Sequence, residues 1–135
     1  MTHKVEISTP PNVMAPIGPY SHIAKTGQFI TIGAVAGVDP ATGELAGSDI
    51  ASQTRQIIKS FDLLLASAGS DLDHVLHINV FLVDMSEFDA MNRAYIEVMG
   101  ERRPARTAIG VSGLPKTGAR LTMNLTAVTA AETGS

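Results

Sequence analysis

The sequence contains no cysteine and no tryptophan, and aromatic residues make up only 4% of it. Without cysteine there is no disulfide framework, no thiol nucleophile and no thiolate metal site. With so few aromatics, the 44% hydrophobic content must build its core from Ala, Val, Ile, Leu and Met. No apolar run approaches the roughly 18 residues of a transmembrane helix, and the opening MTHKVEISTPPNVMAPIGPY lacks a signal-like apolar stretch. The expectation is a cytoplasmic protein with no membrane partner. Charge of one sign is also missing: 10 basic and 13 acidic residues give a net −3 without long runs. That disfavours nucleic acid as a partner, which calls for a clustered basic face, and leaves room for a local anion site. Phosphate-binding loops, H-E-x-x-H and the nucleophile elbow are absent. His74 and His77 stand three apart on an expected strand and so point to opposite faces, a poor metal pair. His3, His22, His74 and His77 all read as surface or satisfied residues, with His22 the one placed to line a pocket. No metal and no organic cofactor are expected.

What is present fits one domain over residues 1–135. A short edge strand at residues 3–8 leads into a stiff loop holding Pro10, Pro11, Pro16 and Pro19. Ser21 to Lys25 and Gln28 to Val35 read as strands joined at Thr26-Gly27, and Asp39 to Gly43 as a turn. Apolar residues recur at helical spacing from about Asp49 to Ala68, with Ser48 as the expected cap and Gly69 as the stop. A strand follows at His74–Val83, then a helix from Ser86 to Met99 opened by a Ser86-x-x-Asp89 capping box and closed at Gly100. Strands Ala105–Val111 and Ala119–Val128 flank a Gly-Pro turn, and the tail Ala130–Ser135 is expected to fray. The order β-β-β-α-β-α-β-β predicts an α+β fold, a single mixed sheet with two helices packed on one face.

Side-chain alternation separates the two faces of the last strands. Leu121, Met123, Leu125 and Ala127 point one way, while Thr122, Asn124 and Thr126 point the other. On the preceding strand Thr107, Ile109 and Val111 oppose Arg106, Ala108 and Gly110. The apolar sets suit packing under the helices, which places Arg106 on the helix-free face, sheltered by another subunit. A guanidinium on a rigid strand offers a planar fork of donors to a carboxylate; a structural ion pair is the alternative. Tyr20, in Gly18-Pro19-Tyr20-Ser21, reads equally as core filler or as a positioned donor.

Ordered motifs run from residue 18 to about 128: Gly18-Pro19-Tyr20-Ser21, Asp39-Pro40-x-Thr42-Gly43-Glu44-Leu45, Gln53-Thr54 and Val80-Phe81-Leu82-x-Asp84. Phe88, Asn92 and Tyr95, then Pro104-Ala105-Arg106-Thr107 and Leu114-Pro115-Lys116, continue the series. Together they resemble the RidA/YjgF enamine/imine deaminase family. The resemblance implies a chorismate-mutase-like homotrimer whose sheets line a central barrel, with clefts at subunit boundaries. It implies that Arg106 binds a substrate carboxylate, that Tyr20 closes the cleft, that Gly33 and Ala108 offer backbone groups, and that Asn92 belongs to the substrate-binding set. Three departures stand out: Ile32-Gly33-Ala34 replaces the family's Ser-Gly-Gln, Ala108 replaces a cysteine, and Asn124 is matched to the family's glutamate on the last strand. An amide at Asn124 can hold water by hydrogen bonds but cannot take its proton at neutral pH.

The function so implied is hydrolytic deamination of an enamine or imine carboxylate of the 2-aminoacrylate, 2-iminobutyrate or aminomuconate type, releasing ammonia and a 2-oxo acid. Arg106, Tyr20 and Asn124 would carry the reaction, with a small imine, enamine or 2-oxo acid as ligand. A non-catalytic trimer that binds small carboxylates is the alternative; a ribonuclease fits the acidic balance least.

Overall fold

A computed structural model gives the structure over residues 4–130. His3, the start of the expected first strand and the tail beyond residue 130 lie outside the described residues. The chain forms β1 (Glu6–Ser8), β2 (Ile23–Thr26) and β3 (Phe29–Ala36), then the short strands β4 (Val38–Asp39) and β5 (Glu44–Leu45). Helix α1 (Ile50–Ser67), β6 (Val75–Leu82), α2 (Phe88–Met99), β7 (Ala105–Gly110) and β8 (Leu121–Val128) complete it. Six strands make one mixed sheet in the order β1-β2-β3-β8-β6-β7, and β4 pairs with β5 around the Asp39–Gly43 turn. All pairs in the main sheet are antiparallel except β6–β7, the parallel pair joined through α2. The expected α+β architecture, two helices packed against a mixed sheet, is the one observed.

Helix α1 forms because Ile57, Ile58, Phe61, Leu64 and Leu65 fall on one stripe, and all five are fully buried. They meet Ile32, Ile78, Val80, Leu82, Leu121, Met123 and Leu125, the inward residues of the central strands. Its cap is Asp49, not Ser48: the carboxylate accepts from the Ser52 N–H at 2.9 Å. The capping box expected at Ser86 is likewise replaced. Asp84 accepts from the Ser86 N–H and caps a 3-10 turn at Met85–Glu87, and α2 starts after it at Phe88 without a side-chain cap of its own. The β6 strand starts at Val75 because Asp71 caps another 3-10 turn over Leu72–His74.

The β8 alternation is as expected, with Leu121, Met123, Leu125 and Ala127 buried. On β7 the faces are reversed. Register settles this: Arg106 pairs with Ile78, Ala108 with Val80 and Gly110 with Leu82, and those three partners are all fully buried. Paired residues share a face, so Arg106 points toward the helices and Ile109 lies 46% exposed on the open face. Hydrophobicity alone favours the opposite arrangement. It loses because β7 is an edge strand beside α2, where the Phe88 and Tyr95 rings accept the long stem and flat head of an arginine.

Candidate functional site

Of the residues singled out from the sequence, Tyr20 and Gly33 line one cavity and Asn92 and Arg106 another, and the two have no lining residue in common. The first, of about 390 Å³, is lined by Met14, Ile17, Tyr20, Gly33, Ala34 and Thr122, among others, and is closed on one side by Pro115 and Lys116. Its walls are set by backbone geometry. Pairing of β3 with β8 is interrupted between Ile32 and Val35, and this bulge turns Gly33 and Ala34 toward the cavity. The Gly33 N–H is already donated to the His22 carbonyl at 3.0 Å, which leaves its carbonyl as the group a ligand would meet. The Tyr20 hydroxyl accepts from the Ile17 N–H at 3.2 Å, and its ring stands edge-on to His22 at 5.9 Å. His22 is buried, with Nε2 bonded to the Met14 carbonyl at 2.6 Å; it supports the loop from behind and is not among the lining residues.

The Pro115–Lys116 wall is held by Gln53, a fully buried residue whose structural role the sequence did not disclose. Its Nε2 donates to the carbonyls of Gly47 and Gly118 at 2.9 and 3.2 Å, while its Oε1 accepts from the Arg120 N–H at 2.8 Å. Gly37 makes this clamp possible: a Cβ there would stand 2.6 Å from the Gln53 carbonyl oxygen, so only glycine lets α1 approach so closely.

The second cavity, of about 410 Å³, is lined by Asn92, Tyr95, Ile96, Arg103, Pro104 and Arg106. The Arg106 guanidinium carbon lies 4.8 Å from the Tyr95 ring centroid and 5.7 Å from that of Phe88. Residues 88, 92 and 95 follow helical spacing, so one face of α2 forms the floor. Among the described residues no carboxylate pairs with Arg106, and the ion pairs use Arg55, His74, Arg102 and Arg120 instead. Two buried polar atoms at this floor, Asn92 Oδ1 and the Tyr95 hydroxyl oxygen, also have no partner among the described residues. Burial raises the Tyr95 pKa above 10.0, against an opposing pull from Arg106 and Arg103, so its hydroxyl stays protonated. A cation without a counter-ion beside a protonated hydroxyl free to donate is a place for an anion, while the Asn92 oxygen, an acceptor, calls for a ligand N–H or water.

Backbone direction adds to this. Val111 donates its N–H to the Leu82 carbonyl on β6, and alternate residues of a strand aim their peptide groups at opposite neighbours. By that alternation Arg106 and Ala108 aim theirs at the free edge of the sheet. Asn124 belongs to neither cavity. Its Oδ1 accepts from Asn79 Nδ2 at 2.9 Å on the open face; the β8 residue that lines the Tyr20 cavity is Thr122, two positions earlier. Strand periodicity places 122 and 124 on one face, and only the interrupted pairing with β3 distinguishes them. Tyr20 and Gly33 therefore come together, Arg106 and Asn92 come together, and the two groups remain apart. From β3 to β7 is three strand spacings, about 14 Å, too far for one small carboxylate to touch both.

Two helices packed on one mixed sheet, with an arginine at its β7 edge and a cavity near β3, define an α+β protein of this fold class. Comparison with known proteins makes the class specific. The family description "Endoribonuclease L-PSP" matches residues 11–129, and the chain belongs to that family, known also as RidA/YjgF. A RutC family protein of Pyrococcus horikoshii is 45% identical over 105 residues, covering 78% of this chain and 83% of the relative. The 2-iminobutanoate/2-iminopropanoate deaminase of Homo sapiens is 33% identical over 112 residues, covering 83% and 81%. Among solved structures, RidA from an Antarctic Psychrobacter matches with a TM-score of 0.86 at 28% identity, covering 91% of this chain and 98% of that one. The family thus includes proteins named as imine deaminases. No helix among the described residues is long and apolar enough to cross a membrane.

Proposed function

We propose that this protein hydrolyses 2-imino carboxylates, and their enamine tautomers, to 2-oxo acids and ammonia in a site shared between two copies of the chain. The observation that carries this is Arg106, a stacked guanidinium that no carboxylate among the described residues pairs, at a free sheet edge three strands from Tyr20 and Gly33 of the same chain. In this reading a second copy lays its Tyr20 cavity against the β7 edge. The homotrimer with sheets around a central barrel, implied by the family resemblance, supplies that arrangement.

Arg106 grips the carboxylate by a bidentate fork, fixing the C=N carbon in place. The Gly33 carbonyl is an acceptor, and it matches the N–H of an imine rather than the oxygen of the product. Peptide groups of Ala108 at the free edge complete the cradle. Water adds to the C=N carbon and its proton passes to the nitrogen through substrate or solvent; the carbinolamine then expels ammonia and leaves the 2-oxo acid. Neither Asn124 nor Thr122 can act as a base at neutral pH, so rate enhancement comes from positioning and polarisation of a substrate that already hydrolyses unaided.

The test is ammonia release from 2-iminobutyrate generated in situ, compared between the native protein and Arg106→Ala. Acceleration above the spontaneous rate that falls at least 100-fold in the variant, with the circular dichroism spectrum unchanged, is the expected result. An Arg106→Ala protein as active as the native one would sink the proposal.

A further inference from the structure

We infer that the preferred substrate carries an apolar side chain of isobutyl or benzyl size, seated in the Tyr20 cavity. This rests on the imine-hydrolase function proposed above and goes beyond it by naming which imines. A cavity of about 390 Å³ is far larger than the methyl group of 2-iminopropanoate needs. Its surroundings are Met14, Ile17, Ala34, Ala36 and Pro115, with Lys116 as the one charged residue among those lining it. Of the polar groups lining it, the Tyr20 hydroxyl is engaged by Ile17 and Gly33 has given its N–H to His22, which leaves the small hydroxyls of Ser21 and Thr122 in a mostly apolar wall.

Such walls reward hydrocarbon and penalise polar side chains. Each methylene withdrawn from water contributes about fourfold in binding, and a pocket of this kind discriminates by roughly 10- to 200-fold per group that fits or fails to fit. A hydroxylated side chain gains nothing from Met14, Ile17 or Ala36, and loses its water on entering. Ala34 is exposed at the rim of the bulge, where a larger side chain would occupy the space without disturbing the core.

The experiment generates imines in situ from leucine, phenylalanine and alanine with an amino-acid oxidase and compares kcat/KM for ammonia release. Alongside it, binding of 4-methyl-2-oxopentanoate and pyruvate is measured by calorimetry, which reads the cavity without turnover. The expected result is a kcat/KM at least tenfold higher for the leucine and phenylalanine imines, tighter binding of the larger oxo acid, and an inverted order in Ala34→Phe. Equal or better turnover of the alanine imine by the native protein overturns the inference and leaves the hydrolase function standing. No acceleration of any imine, with neither oxo acid bound, overturns both.

Discussion

The two cavities are built by opposite means. The Tyr20 cavity is shaped by backbone: a bulge at Gly33–Ala34, a proline-rich loop and a turn clamped by Gln53. The Arg106 cavity is shaped by side chains, a guanidinium laid over aromatic rings of α2, with Arg102 bonding Asp73 at 2.7 Å to fix the segment that leads into β7. The first is mostly apolar, with Lys116 its one charged lining residue; the second is cationic, and two of its buried polar atoms have no partner among the described residues. A surface divided this way suits a ligand with an anionic head and an apolar tail. It also suits a site completed only by a second chain.

The sharpest way to break that comparison is subunit mixing. Tyr20→Ala and Arg106→Ala should each lose most activity. If the halves belong to different chains, refolding an equal mixture in a cyclic oligomer restores about a quarter of the sites, because one interface in four combines both intact halves. No recovery on mixing would place both halves in one chain and refute the shared site. The next effect concerns the backbone-built cavity. Gln53→Leu leaves two carbonyls and one N–H of a partly exposed turn without their side-chain partner, and urea unfolding should show a loss of about 2 kcal/mol. A loss under about 1 kcal/mol would mean that the clamp is dispensable.

For the side-chain-built cavity the expected sign is opposite. Tyr95→Phe keeps the ring under Arg106 and removes a buried hydroxyl that has no partner, so thermal stability should hold or rise by up to about 1 kcal/mol. A clear destabilisation would reveal a hidden partner for that oxygen. The smallest effect lies at the turn behind this cavity. The His74 side chain, hydrogen-bonded to Asp71 at 2.6 Å, holds the Asp71 carboxyl below its ordinary 3.8. A lowered folded-state pKa stabilises above the unfolded value and is lost as pH falls through the folded one. Asp71→Asn should therefore lower stability slightly at neutral pH, only slightly because the pair is largely solvated, leave the acid end unchanged, and so flatten the acid limb of the stability–pH curve below about pH 4.

Much of this could be read in the chain itself. Helical spacing from Ile50 to Leu65 and the alternation of Leu121, Met123, Leu125 and Ala127 located α1 and β8, because burial period is a local property of sequence. The caps at Asp49 and Asp84 were missed by one or two residues, since Ser48 and Ser86 are equally good capping types and only backbone angles choose between neighbours. The face of Arg106 was missed for a deeper reason. A six-residue edge strand carries too little hydrophobicity to set its own orientation, and its register with Ile78, Val80 and Leu82 overrides the preference of Ile109 for the interior.

The sequence by itself determined which residues the proposed chemistry rests on: one arginine after Pro104-Ala105, one tyrosine after Gly18-Pro19, and no thiol. It also determined the order of the main-sheet strands and the two helices, through periods of 2 and 3.6 that need no distant partner, while the two-residue strands β4 and β5 stand where the sequence shows only a turn. The tertiary structure alone decided which of these residues meet. Pairing β6 in parallel with β7 and antiparallel with β8 puts two strands between Gly33 and the edge that holds Arg106. That separation is a consequence of strand order, a long-range property that no local pattern encodes, and it is what divides the candidate residues between the two cavities.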